Sequence, residues 1–70
     1  MCQDKSYAIL VDLFSKSKKP VLTSDVKKEY DRLHGGNVNV GLNLRRLKKN
    51  DRVIRDYQGR FAIWTPIIET

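Results

Sequence analysis

Half of the 14 lysines and arginines in this chain fall between residues 45 and 60: Arg45, Arg46, Lys48, Lys49, Arg52, Arg55 and Arg60. Only Asp51 and Asp56 oppose them there, so this window carries +5 of the formal net charge of +6. Guanidinium and ammonium groups are donors without acceptors, and their accumulation suits an anionic partner. Asn39 and Asn43 stand just upstream. An amide that both donates and accepts can meet a base edge as well as a phosphate. The chemistry these residues provide is recognition of a polyanion rather than bond making.

Bond making has little to draw on. His34 is the only histidine and Cys2 the only cysteine, so there is no Ser/Cys–His pairing, no internal disulfide and no thiolate zinc site. Asp25, Glu29 and Asp31 lie along one charged helical segment and read as solvated positions. Gly35-Gly36 lacks the Gly-Lys-Ser/Thr continuation and the preceding strand of a phosphate loop. An enzyme is not expected, and neither a cofactor, a metal nor a small-molecule ligand is implied.

A lone cysteine fits a reducing compartment, and no apolar run approaches the roughly 18 residues of a membrane span. We therefore expect a cytoplasmic protein, nucleoid-associated when bound, or a nuclear one in a eukaryotic host. Seventy residues with 40% hydrophobic and 31% charged side chains make one domain spanning residues 1–70, with its core over about 5–66.

The elements that must position the basic residues follow from periodicity. Asp4 can cap a first helix in which Tyr7, Leu10, Val11 and Phe14 share a face, widened by Ala8 and Leu13. Ser15 through Pro20 reads as a solvated turn. Val21-Leu22 can add a short edge to a later hairpin. Thr23 or Ser24 then caps a second helix that buries Val26, Tyr30 and Leu33 and ends at His34-Gly35-Gly36. Asn37 or Asn39 can cap a third, anchored by Val40, Leu44 and Leu47. At about 100° per residue, the opposite side presents Asn39, Leu42, Arg45, Arg46 and Lys49, with Asn43 and Lys48 on the flanks. Residues 52–57 and 60–65 are β-prone segments around Gln58-Gly59, and Pro66 ends the second. A two-residue Gln58-Gly59 loop pairs Ile54 with Ile63 and Asp56 with Phe61; a longer loop shifts that register. The fold class is α+β, in the order helix, short strand, helix, helix, strand, strand.

That order, with Leu44-Arg45-Arg46-Leu47-Lys48-Lys49-Asn50-Asp51-Arg52-Val53-Ile54-Arg55 leading into Tyr57-Gln58-Gly59-Arg60-Phe61, resembles the winged helix-turn-helix family of DNA-binding domains over roughly residues 5–66. The resemblance implies a third helix that enters the major groove and a hairpin, the wing, that reaches an adjacent groove or the backbone. By position, the recognition surface would comprise Asn39, Leu42, Asn43, Arg45, Arg46 and Lys49, and the wing contacts Arg55, Tyr57, Gln58 and Arg60. Trp64 is reminiscent of a branch that binds left-handed duplexes. Gly41 and Arg45 stand where that branch uses asparagine and tyrosine, so Trp64 is expected in the core or at the wing base.

Two readings of function follow. In the first the chain binds double-stranded DNA sequence-specifically as a small transcriptional regulator, as a homodimer through the first helix, the Ile67-Ile68 tail or an N-terminal strand. In the second it is a protein–protein interaction module of a replication or transcription complex, with Leu42 as the exposed apolar contact.

Overall fold

A computed structural model describes residues 2–36 and 38–67. Their order is α1 (Cys2–Ser17), β1 (Val21–Leu22), α2 (Thr23–His34), α3 (Val40–Lys49), β2 (Val53–Gln58) and β3 (Phe61–Pro66). Three helices cover one face of a three-stranded antiparallel sheet ordered β1-β3-β2, and the C-terminal hairpin supplies two of its strands. The α+β layout expected from periodicity is the one present.

Between these layers lies a core of Ile9, Leu10, Val21, Val26, Tyr30, Val40, Leu44, Leu47, Val53 and Trp64. The stripe that α1 contributes is centred one residue earlier than Tyr7, Leu10, Val11 and Phe14 suggest. Ser6, Ile9 and Leu10 are buried and Leu13 is half-buried, at i, i+3, i+4, i+7 spacing, while Ala8 is exposed. Packing on two helices at once selects this stripe, because hydrophobicity alone does not mark Ser6 as buried. Asp4 lies within the first turn rather than at the cap, and the helix runs on to Ser17 before Lys18 turns with φ 58°. Leu33 does not join the core. It is 50% exposed beside Lys5 and Ala8 on a shallow groove between α1 and the last turn of α2.

Neither Thr23 nor Ser24 caps α2, whose N-cap is Leu22 without a side-chain bond. The Thr23 hydroxyl is engaged elsewhere: Trp64 Nε1 donates to it at 2.7 Å, and it donates to the carbonyl of Ala62 at 3.4 Å. Trp64, 2% exposed, is thus a core residue with its one polar atom satisfied, and the contact ties the base of the hairpin to the start of α2.

The hairpin closes through Gly59-Arg60, with Gln58 paired to Phe61, Asp56 to Ile63 and Ile54 to Thr65. Relative to a Gln58-Gly59 loop this shifts the pairing by two residues and leaves every side chain on its face. Gly59 has φ 63°, and a glycine at the first loop position is what such a tight turn requires. Val21, Val53, Ala62 and Trp64 point toward the helices, whereas Leu22, Ile54, Gln58, Phe61 and Ile63 point away. Among the described residues no helix is long and apolar enough to cross a membrane.

Candidate nucleic-acid interface

The basic helix α3 is held at both ends. Asn39 is its N-cap and accepts a hydrogen bond from the Leu42 amide at 3.0 Å; Asn37 lies outside the described residues. At the other end Asp51 adopts φ 59°, the Asp51 amide donates to Lys48 carbonyl at 3.0 Å, and the Arg52 amide donates to Leu47 carbonyl at 2.9 Å. This pair of bonds is the Schellman arrangement, with aspartate in place of the usual glycine. It satisfies carbonyls at the end of α3 and aims the chain directly into β2.

One face of α3 is buried through Val40, Asn43, Leu44 and Leu47. Asn43 is therefore misplaced by the wheel reading. It is 5% exposed, and its Nδ2 donates to the Ser6 hydroxyl of α1 at 3.3 Å. The buried face of α3 is centred between Leu44 and Asn43 because α1 packs against that side, which turns the amide inward as a polar link between two helices. Leu42 is half-buried rather than exposed. Arg45, Arg46, Lys48 and Lys49 are all exposed.

On the hairpin, Gln58 and Arg60 are exposed, Tyr57 is 57% exposed, and Arg55 is half-buried with its guanidinium carbon 5.4 Å from the Tyr57 ring centroid. The two parts meet at one cleft. Val38 and Asn39, leading into α3, and Gly41 in its first turn face Leu22, Phe61 and Ala62 across an open, largely apolar hollow. The structure thus brings Asn39 to the tip of the hairpin and, of the ten expected contact residues, leaves seven exposed, Leu42 and Arg55 half-buried and Asn43 buried. Phe61 was not among those ten, although it is 66% exposed. Only the true hairpin register, which seats it opposite Gln58 next to the turn, singles it out.

Four of the cations are ion-paired among the described residues, and of the others Lys5, Lys18, Lys19 and Lys28 lie outside α3 and the hairpin. Lys16 pairs with Asp12 at 3.0 Å, Lys27 with Asp31 at 2.8 Å, Arg32 with Glu29, and Arg52 with Asp4 at 3.5 Å. The Arg32 guanidinium, hydrogen-bonded to Glu29, holds that carboxyl below its usual range and is itself raised. Arg52 also lies over the Tyr7 ring, 4.1 Å from its centroid. Arg45, Arg46, Lys48, Lys49, Arg55 and Arg60 form no ion pair among the described residues. Their charge is available to an outside anion. No group of three His, Cys, Asp or Glu side chains that could hold a metal ion occurs among the described residues.

Comparison with protein-family models, with curated proteins and with solved structures returns no match to this chain.

Proposed function

We propose that the chain is a winged helix-turn-helix domain that binds double-stranded DNA, with α3 in the major groove and the β2–β3 hairpin as a wing on an adjacent groove or the backbone. The observation that carries this reading is the set of six cations on α3 and the hairpin, five exposed and Arg55 half-buried, that have no acidic partner among the described residues. Neutralising phosphates with these groups releases condensed counterions, so affinity falls steeply with salt. Arg45, Arg46 and Lys49 supply base-edge and phosphate contacts from the helix, and Arg60 a phosphate contact from the wing. A small cytoplasmic transcriptional regulator is the role this fits.

A single domain of this size spans few base pairs, so a homodimer on two half-sites is part of the proposal. Ile67 is held by the domain itself, its amide donating to the Arg52 carbonyl at 2.9 Å and its carbonyl accepting from the Tyr7 hydroxyl at 3.0 Å. Ile68 lies outside the described residues. The exposed part of α1 and the Ile67 side chain, which is itself exposed, are the surfaces proposed for a second copy.

Gel-shift titration with random duplex DNA at low and raised salt tests the reading, and no binding at micromolar protein sinks it. Within it, Arg46→Ala weakens the preferred site by roughly 1–3 kcal/mol more than random duplex. Arg60→Ala weakens both alike and lowers the salt slope by about one. The second reading, a protein-interaction module, draws its support from Ile54, 57% exposed, on the outward sheet face with Leu22 and Ile63. Amide shifts confined to that face on adding a protein partner, with none from DNA, would favour it.

A further inference from the structure

Phe61 is the most exposed large apolar residue described, and it has no ring or cation partner among the described residues. It is directly opposite Gln58 across the hairpin, so the ring and an amide share one face next to the turn that carries Arg60. Phe61 is also one wall of the open hollow whose other wall holds Val38, Asn39 and Gly41. Asn39 spends its carbonyl oxygen on the Leu42 amide, and its NH2 group has no partner among the described residues. An aromatic face, two free amides and unpaired cations are what a nucleobase on a charged strand requires: a stacking platform, donors and acceptors for its edge, and charge for its phosphate.

We propose that the hollow between Phe61 and the start of α3 receives an unpaired nucleobase of DNA, stacked on Phe61, with Gln58 and Asn39 within reach of its polar edge. The inference rests on the DNA-binding reading and deepens it, because the domain then distinguishes an interrupted duplex from a fully paired one. Extruding a base from an intact stack is costly, whereas an already unpaired base enters at little expense. Hollow and platform lie beside the basic helix, so the same approach that docks α3 on the paired segment brings the tip of the hairpin to the interruption. Phe61 takes no part in the core, and its ring is free to be replaced without unfolding the domain.

Fluorescence anisotropy with the full chain tests this on a fully paired duplex and on the same duplex carrying one extra unpaired base. Wild type binds the interrupted duplex about tenfold more tightly, the scale of one base–aromatic stack. Phe61→Ala removes that preference while its affinity for the paired duplex stays within about twofold, and Phe61→Tyr retains the preference. A fluorescent adenine analogue at the unpaired position is quenched by wild type and by Phe61→Tyr but not by Phe61→Ala. Equal wild-type affinity for the two DNAs, or an equal loss on both in Phe61→Ala, overturns the base pocket and leaves DNA binding standing. No binding to either duplex overturns both.

Discussion

Helices α2 and α3 are neighbours of similar length that handle charge in opposite ways. Within Thr23–His34, Lys27, Lys28 and Arg32 are balanced by Asp25, Glu29 and Asp31, and two of the cations are bonded to carboxylates on the same helix. Within Val40–Lys49 there are four cations and no acid. Arg45 and Lys49 are four residues apart, a like-charge spacing that costs an isolated helix about 0.2–0.5 kcal/mol. What offsets that cost is burial: α3 buries Val40, Leu44 and Leu47 completely or nearly so, whereas α2 buries only Val26 and Tyr30. Three of the cations also sit in the last turn of α3, where the negative end of the helix dipole favours them. Helix α3 is thus stabilised by its inward face, and its outward charge has no acidic partner among the described residues.

Stripping each helix of its cations has the largest expected effect. Replacing Arg45, Arg46 and Lys49 together by alanine is expected to weaken DNA binding on the order of 100-fold at moderate salt and to lower the salt slope by about three. Replacing Lys27, Lys28 and Arg32 in the same way should change affinity by no more than about threefold, since two of these are already neutralised within α2. Anisotropy titrations over a salt series measure both. Similar losses in the two triple variants would mean that net charge, not the placement of unpaired charge, governs binding.

Much of this contrast is legible in the sequence, and the parts that are not share a cause. Val40, Leu44 and Leu47 recur at helical spacing, so the orientation of α3 to within about one residue follows from pattern alone. Val21-Leu22 is visible as an edge for the later hairpin, and Trp64 as a core residue at its base. Asn43 and Ser6 are not visible, because a buried polar pair is specified by the partner helix rather than by its own neighbours in the chain. Thr23 looks like a cap from its position and becomes a receptor for the indole of Trp64, a residue 41 positions away. The face of Phe61 is fixed by strand alternation, but its place opposite Gln58 depends on which residues close the hairpin, and a single glycine decides that.

A smaller effect sharpens the boundary between the inward and outward faces of α3. Asn43→Ala leaves the Ser6 hydroxyl buried without its partner and should destabilise the fold by about 1–3 kcal/mol. For a domain of this size each kcal/mol corresponds to roughly 4–8 °C in Tm. DNA affinity of the folded protein should be unchanged, in contrast to an exposed asparagine that reads a base. Thermal melting together with binding below the transition separates the two. A loss of site preference with no change in Tm would return Asn43 to the DNA-facing surface.

Arg52 gives the smallest effect and the most exacting test of where the free-charge region ends. It belongs by sequence to the basic cluster of residues 45–60, yet its guanidinium is spread over Tyr7 and reaches Asp4, while its backbone carbonyl holds Ile67. These contacts pin the C-terminal end of the sheet to α1. Both charged partners are substantially exposed, 45% for the Arg52 side chain and 70% for that of Asp4, so the ion pair contributes little and the ring contact most of about 0.5–1 kcal/mol. Arg52→Ala should accordingly lower Tm by a few degrees. Its salt slope for DNA binding should match wild type, because a cation already engaged within the protein displaces no counterion from phosphate. If instead Arg52→Ala lowers the slope as Arg60→Ala does and leaves Tm unchanged, Arg52 lets go of α1 when DNA arrives. The turn joining α3 to β2 would then belong to the binding surface rather than to the scaffold behind it.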